Sequence, residues 1–96
     1  MIVDDFIWLP HIVDKLESKH SVFPEEVEEV FFNQPRFRFH EKGKVQGENM
    51  YTALGQTDGG RYLIVYFIFK SSNRALIISA RDMNRAERRY YGRKQN

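Results

Sequence analysis

Residues 61–69, RYLIVYFIF, decide how this chain folds. The run is far shorter than the ~20 apolar residues of a membrane-crossing helix. Its β-branched and aromatic side chains suit a pleated surface. Apolar residues occupy both of its alternating faces, which marks a central strand covered on two sides. The turn residues TDGG at 57–60 precede it, and KSSNR at 70–74 turns the chain into a last strand, ALIISA, at 75–80.

Working upstream, NMYTALG at 49–55 is a further strand and EKGKVQG at 41–47 is a loop or hairpin end. RFRFH at 36–40 alternates strictly, with Phe37 and Phe39 on one face and Arg36, Arg38 and His40 on the other. Before that point the period is helical. In FPEEVEEVFF at 23–32, Pro24 lies near the first helical position and Glu25 and Glu26 complement the exposed N–H groups of the first turn. Phe23, Val27, Val30 and Phe31 form its apolar stripe, and Glu25, Glu28 and Glu29 form an acidic outer face. An earlier helix, LPHIVDKLESKH at 9–20, places Ile12, Val13 and Leu16 near one face.

Downstream, NRAE at 84–87 is a capping-box pattern that opens a short terminal helix. The pattern is therefore α+β: two N-terminal helices, a four-stranded mainly antiparallel sheet and a short C-terminal helix, in a single domain spanning 1–96.

Composition narrows the chemistry. Cysteine is absent, which removes disulfides and thiolate catalysis, and His11, His20 and His40 stand at no metal-ligand spacing, so neither metal nor cofactor is expected. MIVDDFIWLPH has no basic leader, and a cytoplasmic protein with no membrane association is expected. The net charge of +2 is unevenly spread: residues 1–80 carry nine Lys or Arg against eleven Asp or Glu, and residues 81–96 carry six against two. A local anionic partner fits that terminal excess.

Arginine suits phosphate because its planar fork gives two parallel charge-assisted bonds. Arg61, at the start of the central strand, and Arg81, where the last strand leaves for the helix, are the leading candidates. Arg36 and Arg38 on the strand face, and Arg85, Arg88 and Arg89 on the terminal helix, are candidate RNA or partner contacts, with Tyr90 and Tyr91 as stacking candidates. RNA cleavage through the 2′-hydroxyl needs groups that take and return protons and stabilise a phosphorane. His20, Lys19, Glu48, Tyr91 and Arg81 are the available types. Each has a structural reading as well: Lys19 as a helix-dipole partner, His20 as a polar helix end, Glu48 paired with Lys44, Arg61 as a solubilising strand start.

Read together, FIWLPHIVDKLESKHSV, FPEEVEEVFFNQP, GENMYTALGQTDGGRYLIVYF and IISARDMNRAERRYY resemble the BrnT family of small toxins from bacterial type II toxin–antitoxin systems. The resemblance implies a RelE-like fold, a ribonuclease activity, neutralisation by a cognate antitoxin that also represses the operon, and homodimer formation. Matched residue by residue, it implies functional positions at Lys19 and His20, Glu48, Arg61 and Arg81, with Glu87, Arg88 and Tyr91 matching the closing motif. Leu9, Ile12 and Leu16 stand where the family pattern has polar or basic residues, and Met50 and Leu76 stand where it has arginine. Two functions follow as expectations: a metal-independent toxin endoribonuclease, or a catalytically degenerate module that keeps the fold and binds RNA or protein.

Overall fold

The computed structural model describes residues 1–45 and 47–93. Gln46 of the expected loop and residues 94–96 of the basic terminus lie outside the described residues. The elements run β1 (Asp5–Ile7), α1 (Pro10–His20), α2 (Pro24–Phe32), β2 (Arg36–Glu41), β3 (Met50–Gln56), β4 (Tyr62–Lys70), β5 (Arg74–Asp82) and α3 (Arg85–Arg93). They build one five-stranded sheet in the order β1-β5-β4-β3-β2.

The sheet has one more strand than the alternation alone indicates. β1 is three residues long and pairs parallel to β5 through Asp5↔Arg74, Phe6↔Ala75 and Ile7↔Leu76. A three-residue strand is too short to display a period. All other pairings are antiparallel. β5 also runs beyond ALIISA, so Arg81 lies inside the strand opposite Ile64 and not at a strand-to-helix junction.

β4 is the central strand, and its two faces pack differently. Leu63, Val65 and Phe67 point to α1 and α2 and join a core with Leu16, Val22, Val27, Val30 and Phe31. The Phe31 and Phe67 rings meet edge to face at 5.2 Å. On the opposite face, Leu54 and Ile64 pack under Met83 and Tyr91 of the α3 segment. α3 covers only that stretch, and Tyr66 and Ile68 further along β4 remain half-exposed.

Helix ends set the geometry of this assembly. α1 stops because Ser21 adopts a left-handed backbone (φ 52°) and the Val22 N–H reaches back to the Leu16 carbonyl at 3.1 Å. α2 starts at Pro24, and Glu26 accepts the Phe23 N–H at 3.1 Å. Gly55 lets α2 approach β3: a Cβ there would sit 3.1 Å from the Val30 side chain. The outer glutamates of α2 are not merely solvated. Glu28 accepts the Trp8 indole N–H at 2.9 Å, and Glu29 accepts the Asp58 N–H at 3.0 Å.

Arg61 ties these pieces together. Its Nε and Nη2 grip the Asp82 carboxylate at 2.7 and 3.1 Å, and Nη1 donates to the Ser21 carbonyl at 2.8 Å and to Glu26 at 3.2 Å. Nη2 also donates to the His20 carbonyl at 2.9 Å. The guanidinium thus uses all five N–H groups, joining the end of α1, the start of α2, β4 and β5.

Arg61→Ala is expected to lower unfolding stability by about 2–4 kcal/mol, because it strands two carboxylates and two helix-end carbonyls. Arg61→Lys keeps the charge and loses the fork, so it should recover less than half of that. Urea unfolding of the three proteins measures this, and a loss below about 1 kcal/mol for Arg61→Ala contradicts the staple.

Candidate functional site

Strand alternation separates the candidate residues into two groups, one on each side of the sheet. Lys19 and His20 close α1, beside the saturated Arg61. Asp82 there titrates below its ordinary range because Arg61 bonds it directly, with the nearby Arg61 and His20 charges adding to the effect. Lys19 is exposed and His20 half-buried. Glu48 lies apart, next to the start of β3, and its carboxylate pairs with Lys70 at 2.5 Å, not with Lys44.

The other group gathers on the face opposite α1 and α2. Arg36, Arg38 and His40 project from β2, Tyr66 from β4, and Arg81 from β5. The register links them: Arg38 pairs with Thr52, Thr52 with Tyr66, and Tyr66 with Ser79. The pairings on this side carry two irregularities, one in the β2–β3 pairing between Phe39 and Glu41 and one in the β4–β5 pairing between Tyr66 and Phe67. A bulge turns a side chain from its regular direction. The His40 ring lies edge-on to Tyr66 at 5.1 Å.

α3 closes one side of this cluster. Its capping box forms as the sequence indicates: the Asn84 side chain accepts the Glu87 N–H and Glu87 accepts the Asn84 N–H, both at 2.8 Å. Both Glu87 oxygens also bind the Arg81 fork at 2.8 Å, and Arg81 Nη2 reaches the Tyr66 hydroxyl at 3.2 Å. Arg81 is consequently held well above its ordinary value, chiefly by the Glu87 bonds, and Glu87 is held below its own by Arg81. The Tyr90 ring lies beneath two guanidiniums, Arg36 at 4.0 Å and Arg38 at 4.4 Å. Arg36 also donates to the Tyr90 carbonyl at 3.2 Å.

Arg38 differs from the other arginines of this face. Its side chain is exposed and, among the described residues, no hydrogen bond or ion pair engages its guanidinium. His40 is comparably accessible, with 43% of its side chain exposed and Glu41 at 3.5 Å. A free fork, an imidazole, a phenol and a cation share one surface, a combination suited to binding a phosphodiester and moving protons around it. Among the described residues, no group of three or more His, Asp or Glu is arranged to hold a metal ion.

Three further placements bear on the sequence reading. Of the adjacent tyrosines, Tyr91 is buried at 5% exposure against Leu54, Ile64 and Met83, and Tyr90 is half-exposed. Arg85, Arg88 and Arg89 are exposed on α3, with Arg88 stacked on Tyr62 at 4.1 Å. Met50 and Leu76 occupy one cross-strand row, joined through Ile68. The sequence reading set Tyr66 within a central strand covered on both faces. The signal that identifies it is its even-numbered position, shared with Tyr62 and Ile64 on the face away from Leu63, Val65 and Phe67.

Comparisons with known proteins come from two levels. The sequence matches one family model over residues 8–87, described as ribonuclease toxin, BrnT, of type II toxin–antitoxin system. Among solved structures, the chain is similar to the Brucella abortus ribonuclease toxin BrnT, at 20% identity and a TM-score of 0.62, over 84% of this chain and 97% of that one. At that identity the likeness speaks to the fold. No curated protein matches the sequence.

Glu87→Gln should loosen α3, since the amide keeps the size but not the charge and turns one of the two acceptors facing Arg81 into a donor; about 1–3 kcal/mol of stability is expected to go. The wild-type pair carries a pH signature. Because folding lowers the Glu87 value from 4.5, its contribution is full above that value and is lost as pH falls through the folded one. Unfolding free energy measured from pH 7 down to acid should show a steeper decline for wild type than for Glu87→Gln, and parallel curves contradict the pair's role.

Proposed function

The chain belongs to the BrnT family of ribonuclease toxins of type II toxin–antitoxin systems, and from that premise we propose that it cuts RNA without a metal ion on the open sheet face. Membership implies RNA as substrate and a cognate antitoxin as partner. The observation that carries the choice of face is Arg38, an exposed guanidinium over Tyr90 that no hydrogen bond or ion pair engages among the described residues, on the face that also holds His40 and Tyr66.

The reaction uses these groups in order. Arg38 binds two oxygens of the scissile phosphate, with Arg36 beside it. His40 accepts the proton of the 2′-hydroxyl, and the 2′-oxygen attacks phosphorus. Negative charge grows on the phosphorane oxygens, where Arg38 opposes it. The bond to the 5′-oxygen breaks, and that oxygen takes a proton from the Tyr66 hydroxyl, which Arg81 holds at 3.2 Å. Glu87 fixes the Arg81 fork so that Tyr66 keeps its direction.

In this reading Arg61 acts through the fold, as its saturated guanidinium indicates. Arg85 and Arg89 contact flanking phosphates, and Lys19, His20 and Glu48 do not touch the scissile bond. The protein works in the cytoplasm, where its RNA substrate is. It also pairs as a homodimer around its antitoxin complex. A second reading, a degenerate binding module, is favoured by the apolar Met50–Ile68–Leu76 row beside the cluster, where the family resemblance leads one to expect arginine.

Turnover separates the readings, because both bind RNA in a salt-dependent way. Purified wild type should cleave RNA in the presence of chelator, and Arg38→Ala and His40→Ala should each lose about 100-fold or more in rate with unchanged thermal unfolding. Unchanged rates in both variants contradict the assigned face. Cleavage that stops on chelation contradicts the metal-free chemistry, and RNA binding without any cleavage favours the binding module.

A further inference from the structure

A recess of about 430 Å³ lies on the far side of α3 from the Arg38–Tyr66 cluster, lined by Gln56, Tyr62, Arg88, Arg89, Tyr91 and Gly92. That volume is in the range of pockets that take small ligands. It continues through Gln56 and Tyr91 into a second recess of about 510 Å³ bordered by Asn33, Thr57, Asp58 and Gly60. None of the catalytic steps above uses either recess.

Three features of the wall are specific. Arg88 lies over the Tyr62 ring at 4.1 Å, and Tyr91 holds that ring edge-on at 6.1 Å. The Arg88 side chain is exposed and, among the described residues, makes no side-chain hydrogen bond, so the outer plane of its guanidinium is open. Bases stack on arginine planes as they do on aromatic rings. The Gln56 carboxamide gives one N–H to the Gly60 carbonyl at 3.3 Å. Among the described residues nothing engages its oxygen or its second N–H. Gly92 adds no side chain to the wall, and a Cβ built there meets nothing within 4 Å.

We propose that this recess is a nucleobase subsite, in which a base flanking the cut stacks on the Tyr62–Arg88 pair and the Gln56 carboxamide reads its edge. An amide that offers one donor and one acceptor matches any edge that sets a donor beside an acceptor. Adenine and cytosine present an amino group beside a ring nitrogen, and guanine and uracil a ring N–H beside a keto oxygen. The carboxamide therefore distinguishes a base from bare sugar and phosphate and takes any of the four. The subsite rests on the reading of this protein as an RNA-cleaving enzyme and adds to it a grip on a flanking nucleotide. α3 stands between subsite and cluster, one helix diameter of about 10 Å wide, so the bound base belongs to a nucleotide near the cut and not to the scissile one.

The test is a nuclear magnetic resonance titration of the full ¹⁵N-labelled chain with AMP, CMP, GMP, UMP and ribose 5-phosphate. All four nucleotides should move the Gln56 side-chain amide and the Arg88 and Gly92 backbone amides, with affinities at least about fivefold above that of ribose 5-phosphate. Ribose 5-phosphate should leave these signals in place. Gln56→Leu, and Arg88→Ala at an exposed position that does not endanger the fold, should each weaken every nucleotide. A response to ribose 5-phosphate equal to that of the nucleotides, or nucleotide binding unchanged in both variants, overturns the subsite. An RNA cleavage assay run beside the titration keeps the two readings apart: base-dependent binding at Gln56 and Arg88 without cleavage supports the subsite and contradicts the nuclease, and cleavage with no base-dependent binding there overturns the subsite alone.

Discussion

The five N–H groups of Arg61 are all met by internal acceptors, and the arrangement of the helices on the sheet depends on them. α1 ends in a left-handed serine, a backbone state that costs about 1–2 kcal/mol for a residue with a side chain. Its last carbonyls point at no further helical turn. A planar cation supplies donors to those carbonyls and to the carboxylates of Glu26 and Asp82 at once. The angle between α1 and α2 is thereby fixed against β4 and β5, and the apolar stripes of both helices meet Leu63, Val65 and Phe67.

The same inventory separates three arginines that look alike in a sequence. Arg61 is saturated inside the fold. Arg81 gives four of its contacts to Glu87, Tyr66 and the Asp82 carbonyl, which makes it a brace for α3 and for a phenol. Among the described residues Arg38 makes no hydrogen bond or ion pair; it lies over the face of Tyr90, and its charge is felt at Glu87. A fork already filled by carboxylate must break those bonds before it takes phosphate, whereas an exposed one loses only water. Charge count therefore ranks these residues poorly, and the number of unused N–H groups ranks them well.

Much of the architecture was legible because it is written in local periods. RYLIVYFIF reads as the central strand, RFRFH as an alternating one, and NRAE as a capping box, and each of these depends on neighbours within a few residues. β1 escaped because three residues carry no period and its partner strand lies almost 70 positions away in sequence. The candidate site was legible only in residue type. Alternation in β5 sends Arg81 and Asp82 to opposite faces, so Arg81 is separated from the Arg61 and His20 group with which sequence reasoning linked it. His40 falls at the register irregularity of the β2–β3 pairing, where its ring meets Tyr66 of β4, and no linear pattern announces a bulge. Tyr91 matched a motif, but helix rotation turns it into the core and leaves Tyr90 under the arginines.

The central claim is that RNA lies on the open face carrying Arg38, His40 and Tyr66, and not at the α1–α2 end of the sheet. The most direct measurement is an amide-shift map of the labelled chain with an RNA oligonucleotide made uncleavable by 2′-O-methylation. Shifts centred on residues 36–40, Tyr66 and the α3 face around Tyr90, with Lys19, His20 and Arg61 unmoved, are the expected result. Shifts centred on Lys19, His20, Ser21 and Arg61, with the β2 face silent, would contradict the account.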